Sequence, residues 1–136
     1  LDNFVPTNYE FNMKRIIGAC KKERVRPVLV TLPTLLPNKQ AQEEMGMAML
    51  EKLRYPSFFQ KGDVDSLREL YDRYDTTIRT MAYDENIDLI DVNAGLDDID
   101  ASREQYFLDT RLPNVDGNAL IADILARGLT DRGIVA

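Results

Sequence analysis

The sequence predicts an α/β domain in which helices cover a parallel sheet, and three observations predict this class. Residues 28–32 form a short β-branched run without polar alternation, which is typical of a strand buried on both faces. Residues 87–92, with four apolar residues and two aspartates, predict a second short strand. Apolar residues recur at helical spacing before, between and after these runs, and such alternation of helices and strands favours a parallel sheet.

Length and composition predict one soluble domain over residues 1–136. The chain is 44% hydrophobic and 29% charged, and its net charge of -6 argues against a nucleic-acid partner or an anionic membrane surface. Its apolar runs are far shorter than the roughly 20 residues that a membrane helix needs. Cys20, the single cysteine, falls on the apolar face of a predicted helix, so we expect a buried thiol. None of these features indicates a cellular compartment.

The first predicted helix has its apolar residues at three- and four-residue spacing, with cations at its carboxyl end, where the helix dipole favours them. Its apolar face comprises Tyr9, Met13, Ile16, Ile17 and Cys20. Residues 33–37 contain two prolines and end the first strand in an extended turn. Because loops at the carboxyl ends of parallel strands line the ligand crevice, Pro33 and Leu35 are candidate substrate-binding residues.

Two more helices are predicted before the second strand. Asn38 can cap a helix over residues 39–53, whose methionine-rich surface suits either ordinary core packing or a ligand-facing wall. A loop over residues 54–62 carries Phe58 and Phe59. Asp63 is then expected to cap a long helix with an apolar face that extends to Met81.

The remaining chain supplies one strand and one clear helix. After the strand at residues 87–92, residues 93–95 are predicted to turn and residues 96–105 to form a short helix or turn. Asp116 and Gly117 open the final helix, which Gly128 is expected to stop near Arg127. Two parallel strands alone make a poor sheet with open edges. We therefore expect another segment or subunit, in a homo-oligomer or from a partner chain, to complete it.

Residues 106–122 join an aromatic lead-in, an acidic residue, a proline turn and a helix start. Asp109 lies three residues before Leu112, which is followed by Pro113 and Asn114. This arrangement resembles the last conserved block of the SGNH/GDSL hydrolases, where an Asp, two arbitrary residues, a His and usually a Pro-Asn or Leu-Asn pair precede a Gly and the final helix. Residues 9–32 and 71–92 resemble helix–strand units of the same family. The resemblance implies the carboxyl-terminal portion of a three-layer α/β/α, flavodoxin-like (SGNH-type) domain.

The resemblance also implies hydrolysis of acyl or acetyl esters by Ser-His-Asp chemistry, but Leu112 occupies the histidine position. The chain contains no histidine, and the Gly-Asp-Ser block of the nucleophile is not found. Asp109 is the one catalytic residue that carries over, and Asn114 is a candidate substrate-binding residue. Since loss of the serine or histidine of a triad costs on the order of 10⁶ in turnover, we expect no esterase activity from this chain alone.

Other interpretations stay open. The chain could be a non-catalytic SGNH-like binding or interaction protein, which the Leu112 substitution favours. Asp109 could then be a turn or capping carboxylate that bonds nearby backbone amides, or it could pair with the Arg111 side chain. An unrelated flavodoxin-like nucleotide or phosphate binder is disfavoured because no glycine-rich loop joins a strand to a helix. No metal or other cofactor is expected from a chain without histidine.

Overall fold

A computed structural model describes residues 4–36, 61–99 and 103–135, with side chains described throughout except at residues 61–64. This part of the chain is mixed α/β and mostly helical, with a small two-stranded parallel sheet. In chain order its elements are α1 (Thr7–Lys22), β1 (Val28–Val30), α2 (Lys61–Asp84), β2 (Asp88–Ile90), α3 (Val92–Asp97), a 3₁₀ helix (Arg103–Tyr106) and α4 (Val115–Asp131). Within the described ranges, no helix is long and apolar enough to cross a membrane.

The two strands are parallel, as predicted, and both are shorter than expected. Val28 lies opposite Asp88, and Val30 lies opposite Ile90. Asp91 ends β2 because its carboxylate accepts a hydrogen bond from the Ala94 backbone N–H at 3.1 Å and so caps α3. The predicted turn at residues 93–95 is therefore wrong, since these residues are helical.

Apolar side chains of the sheet point alternately to its two faces, as strand geometry requires. On one face, a buried cluster joins α1, α2 and β1 through Ile17, Leu29, Ile78, Met81 and Ala82. On the other face, the buried cluster joins the segment after β1 to β2, α3 and α4 through Leu35, Leu36, Ile90, Val92, Leu96, Phe107 and Ile124. Buried apolar clusters thus lie on both faces of this small sheet.

The final helix begins where the sequence predicts but runs four residues further than expected, to Asp131. The expected stop at Gly128 is wrong because this glycine has a packing role inside the helix. A Cβ atom added at Gly128 would lie 2.9 Å from Cγ2 of Ile90. The missing side chain therefore allows α4 to approach β2 closely.

Three further expectations need correction. Asp63 does not cap the long helix, because α2 already includes Lys61 and Gly62. Ile16 is exposed and lies off the buried face of α1, whereas its neighbour Ile17 is in the core. Cys20 is half-buried and not fully buried. The predicted helix at residues 39–53 and most of the loop at 54–62 lie outside the described residues.

Candidate functional site

The turn that carries Asp109 is closed by its own backbone and by one carboxylate oxygen. Phe107 and Pro113 form an antiparallel bridge, and the Leu108 N–H donates to the Leu112 carbonyl at 2.8 Å. Oδ1 of Asp109 accepts hydrogen bonds from the backbone N–H groups of Arg111, at 2.7 Å, and Leu112, at 2.8 Å. An aspartate commonly stabilises turns in this way, so Asp109 has a structural role in the turn.

Residue 112, the position of the histidine in the resemblance, carries an exposed aliphatic side chain. Leu112 is 57% exposed and cannot accept a proton. The Arg111 side chain is also exposed, and within the described ranges it forms no ion pair with Asp109. The second oxygen of Asp109, Oδ2, accepts no hydrogen bond from any residue in those ranges. Against the described part of the chain, the carboxylate is therefore held at one oxygen and open at the other.

The Asp109 turn lies against the loop that follows β1. The carbonyl oxygen of Thr110 accepts hydrogen bonds from the Leu35 N–H at 3.0 Å and the Thr34 hydroxyl at 2.9 Å. The structure thus brings the Asp109 turn together with the loop that holds Pro33 and Leu35. Pro33 is half-buried and Leu35 is fully buried in the core. A substrate-binding role for either residue stays a prediction.

Asn114 anchors the start of α4 with both ends of its side-chain amide. Its Oδ1 accepts a hydrogen bond from the Gly117 N–H at 2.8 Å, and its Nδ2 donates to the Gln105 carbonyl at 2.6 Å. Asparagine is among the preferred residues at this helix position. These bonds account for the Pro-Asn-x-x-Gly pattern in structural terms, while ligand binding by Asn114 stays a prediction.

A buried polar network that the sequence did not predict lies beside this turn, at the carboxyl end of the sheet. Its centre is Asn93, whose Nδ2 donates to the Leu32 carbonyl at 2.7 Å and to Asp75 at 2.6 Å. Its Oδ1 accepts from the Thr34 N–H and from Arg103, both at 3.2 Å. All four hydrogen-bonding positions of the amide are occupied, so Asn93 is locked in one orientation.

Arg103 links this network to the loop after β1. Its Nη1 donates to the Thr34 carbonyl at 2.8 Å, and its Nη2 donates to the Asn93 carbonyl at 2.6 Å and to the Asp97 carboxylate. Burial lowers the pKa of the Arg103 guanidinium, and the charge of Asp97 opposes that shift. Arg103 therefore holds Thr34, whose hydroxyl contacts the Thr110 carbonyl, in place against Asn93.

The two aspartates of the network have opposite electrostatic environments. Burial raises the pKa of Asp75, although hydrogen bonding to Asn93 and the charge of Arg79 oppose it. Burial also acts to raise the pKa of Asp91, but the hydrogen bond from Arg79 Nε, at 2.7 Å, and other donors outweigh it and leave the pKa lowered. Asp75 is thus the carboxyl group of this site whose environment favours the protonated form.

The sequence contains one signal that would have located part of the network. Asp75 stands four residues after Tyr71 and three before Ile78, on the apolar face of the long helix, where a carboxylate needs buried partners. No comparable signal marks Asn93 or Arg103, because the partners of each include backbone groups of the distant loop after β1. Only the fold shows that these groups converge.

Chemically, the described part of the site offers hydrogen-bonding groups and an open carboxylate oxygen, without a proton acceptor at residue 112. No three His, Cys, Asp or Glu side chains within the described ranges are placed to hold a metal ion together. Comparison of the chain with protein-family models, curated proteins and solved structures finds no match. The geometry of the turn and its neighbours is therefore the basis for a functional proposal.

Proposed function

We propose that the chain is a non-catalytic SGNH-like protein: the carboxyl-terminal portion of a three-layer α/β/α, flavodoxin-like frame that binds an acyl or acetyl ester without hydrolysing it alone. The observation that carries this proposal is the Asp109 carboxylate, which is fixed at Oδ1 by the Arg111 and Leu112 backbone N–H groups, while Oδ2 bonds no residue that the structure describes. In a Ser-His-Asp triad, such an oxygen would orient the histidine. Here residue 112 is a leucine, so the turn carries the aspartate but has no histidine to act as a general base.

The position of the turn supports a ligand-binding role. It packs on the loop at the carboxyl end of β1 through the Thr110 carbonyl, and parallel sheets bind their ligands beyond this end. The buried Asn93 network holds that loop rigidly, because Asn93 bonds both Leu32 and Thr34. A rigid loop and an apolar residue 112 favour binding of the acyl part of an ester.

A second candidate belongs to the enzyme class. In it, the chain is one part of an ester hydrolase, and another segment or partner chain supplies the nucleophile and completes the sheet. The open Oδ2 of Asp109 favours this candidate, since a partner's basic side chain would find an oriented acceptor there. Leu112 weighs against it, because a missing segment alone would leave a histidine at that position intact.

The decisive experiment restores the base. Because the chain has no other histidine, Leu112→His places a single imidazole that NMR can titrate without overlap. We expect its pKa to lie above the ordinary value of about 6.5 and to fall by about 0.5–1 unit when Asp109→Asn is added. The asparagine can still accept both turn hydrogen bonds through Oδ1, so the turn is retained.

A matched control uses the other exposed leucine of the same turn. For Leu108→His, we expect Asp109→Asn to change the imidazole pKa only slightly, since Leu108 stands on the opposite strand of the turn. If Asp109→Asn also left the pKa of the imidazole at residue 112 unchanged, the triad-like geometry would be refuted. The unchanged chain is expected to hydrolyse p-nitrophenyl acetate no faster than a boiled sample, and a clear excess over that sample would refute the non-catalytic proposal.

A further inference from the structure

Thr34, in the loop after β1, is buried, and its backbone is bonded at both polar groups. Its N–H donates to Oδ1 of Asn93 at 3.2 Å, and its carbonyl accepts from Nη1 of Arg103 at 2.8 Å. Asn93 and Arg103 are themselves buried, and both belong to the polar network at the carboxyl end of the sheet. The backbone of Thr34 is therefore fixed relative to that end of the sheet.

The two partners of the Thr34 hydroxyl determine where its proton points. The oxygen accepts a hydrogen bond from the Leu36 backbone N–H at 3.1 Å, and it lies 2.9 Å from the Thr110 carbonyl oxygen. An amide N–H can only donate and a carbonyl can only accept, so the hydroxyl proton is directed at Thr110. The Leu35 N–H donates to the same carbonyl at 3.0 Å. Two donors of the loop thus hold the Thr110 carbonyl.

The peptide unit between Thr110 and Arg111 connects this contact to Asp109. The peptide is trans, so its carbonyl and its N–H point in opposite directions within one rigid plane. The carbonyl faces the loop, and the N–H of Arg111 donates to Oδ1 of Asp109 at 2.7 Å. Because the plane is rigid, donors that fix the carbonyl also fix the direction from which Asp109 receives this hydrogen bond.

We propose that Thr34 is a positioning residue for Asp109: its hydroxyl orients the Thr110–Arg111 peptide, whose N–H holds the Asp109 carboxylate in one rotamer. This inference deepens the proposed function and rests on it for the role of Asp109. A carbonyl that accepts a hydrogen bond polarises its peptide and strengthens donation by the N–H of the same unit. Thr34 therefore sets both the direction and the strength of the bond from Arg111 to Asp109.

The test compares two Thr→Val substitutions, which conserve shape, by NMR of the ¹³C,¹⁵N-labelled chain. Thr34→Val removes the hydroxyl that holds the Thr110 carbonyl. We expect it to average the Hα–Hβ couplings of Asp109, which report the side-chain rotamer, and to speed hydrogen exchange of the Arg111 amide about 10-fold. The control is Thr110→Val, because the buried Thr110 hydroxyl has no hydrogen-bond partner among the described residues. This control is expected to leave both measurements unchanged.

The Leu108 amide separates positioning of Asp109 from general loosening of the turn. It donates to the Leu112 carbonyl at 2.8 Å, so its exchange reports closure of the turn without involving the Thr110 carbonyl. In Thr34→Val, we expect its exchange to change much less than that of Arg111. Thr34→Ser keeps the hydroxyl and is expected to retain the wild-type couplings of Asp109. Unchanged couplings in Thr34→Val, or equal acceleration at Leu108 and Arg111, would overturn the proposal.

A measurement on the unaltered chain tests the same relay if Thr34→Val does not fold. We expect a scalar coupling across the hydrogen bond from the Thr34 hydroxyl proton to the Thr110 carbonyl carbon. A second coupling is expected from the Arg111 amide to the Asp109 carboxyl carbon, and the absence of either would overturn the proposal. None of these measurements uses an imidazole at residue 112. If that imidazole did not respond to Asp109→Asn while Thr34→Val released the Asp109 rotamer, the proposed function would fail and Thr34 would still orient Asp109.

Discussion

The side-chain amide of Asn93 donates to Oδ2 of Asp75 at 2.6 Å and thereby joins the start of α3 to the middle of α2. Both residues are buried, and Asn93 has no spare hydrogen-bonding position. A buried polar group stabilises a fold only when its partners are complete. The stability of the carboxyl end of the sheet therefore depends more on the hydrogen-bonding groups of residue 93 than on the size of its side chain.

Asn93→Asp tests this dependence because it changes the chemistry at nearly constant shape. At neutral pH the new carboxylate cannot donate to the Leu32 carbonyl, and it faces the charge of Asp75. We expect a loss of about 3 kcal/mol in the free energy of unfolding. As the pH falls, one of the two carboxyl groups takes a proton and can donate again. Urea unfolding followed by circular dichroism at neutral and mildly acidic pH would show the loss and a partial recovery.

The matched control is Asn118→Asp, the same substitution at an exposed position in the first turn of α4. The Nδ2 of Asn118 donates only a long hydrogen bond, of 3.5 Å, to the Pro113 carbonyl, and a negative charge suits the amino end of α4. We expect a change within about 1 kcal/mol and no recovery in acid. If Asn93→Asp behaved like Asn118→Asp, the Asn93 network would not carry the stability assigned to it.

Gly128→Ala is expected to destabilise the protein by about 1–3 kcal/mol, because its Cβ would overpack against Ile90. Gly18→Ala is the internal comparison, since a Cβ at Gly18 meets nothing within 4 Å. There the higher helix propensity of alanine should stabilise by up to about 1 kcal/mol. Thermal unfolding shows whether each substitution lowers or raises the melting temperature. A higher melting temperature for Gly128→Ala would contradict the close packing of α4 on β2.

Gly128 also shows why sequence reasoning located elements better than it located their ends. The spacing of apolar residues is a local property, so both strands, α1 and the start of α4 were predictable. A glycine near the end of a helix predicts a stop from local preference alone. Its neighbour Ile90 is 38 positions away in the chain, and no local pattern indicates that contact.

The candidate site shows the same limit. Asp109 and Leu112 were predictable as a pair because they share one turn, and the carboxylate's alternative role as a turn acceptor follows from residue type. Arg103 was not predictable, because its acceptors include the carbonyls of Thr34 and Asn93, which the fold brings together. Every residue has a backbone carbonyl, so the sequence does not indicate which carbonyls accept these bonds. Only the three-dimensional structure shows such a network.

The raised pKa of Asp75 predicts how stability depends on pH. Burial favours the protonated form in the folded state, so this carboxyl group stabilises the fold below its unfolded pKa of about 4 and loses that contribution as the pH rises through its folded pKa. Asp91 acts with the opposite sign, since its pKa is lowered and its contribution is lost as the pH falls. The stability of the wild-type chain, measured as a function of pH, would therefore contain both effects.

Asp75→Asn isolates the first effect, because asparagine does not titrate and Asp91 is present in both proteins. The substitution removes one hydrogen-bond acceptor, which shifts the stability of the variant by a constant amount. The difference in melting temperature, wild type minus variant, is therefore expected to grow as the pH is lowered from about 7 to about 4. Differential scanning calorimetry across that range measures it. A difference that shrinks on acidification would mean that the ionised carboxylate, held by Arg79 and Asn93, is the more stable form in the fold.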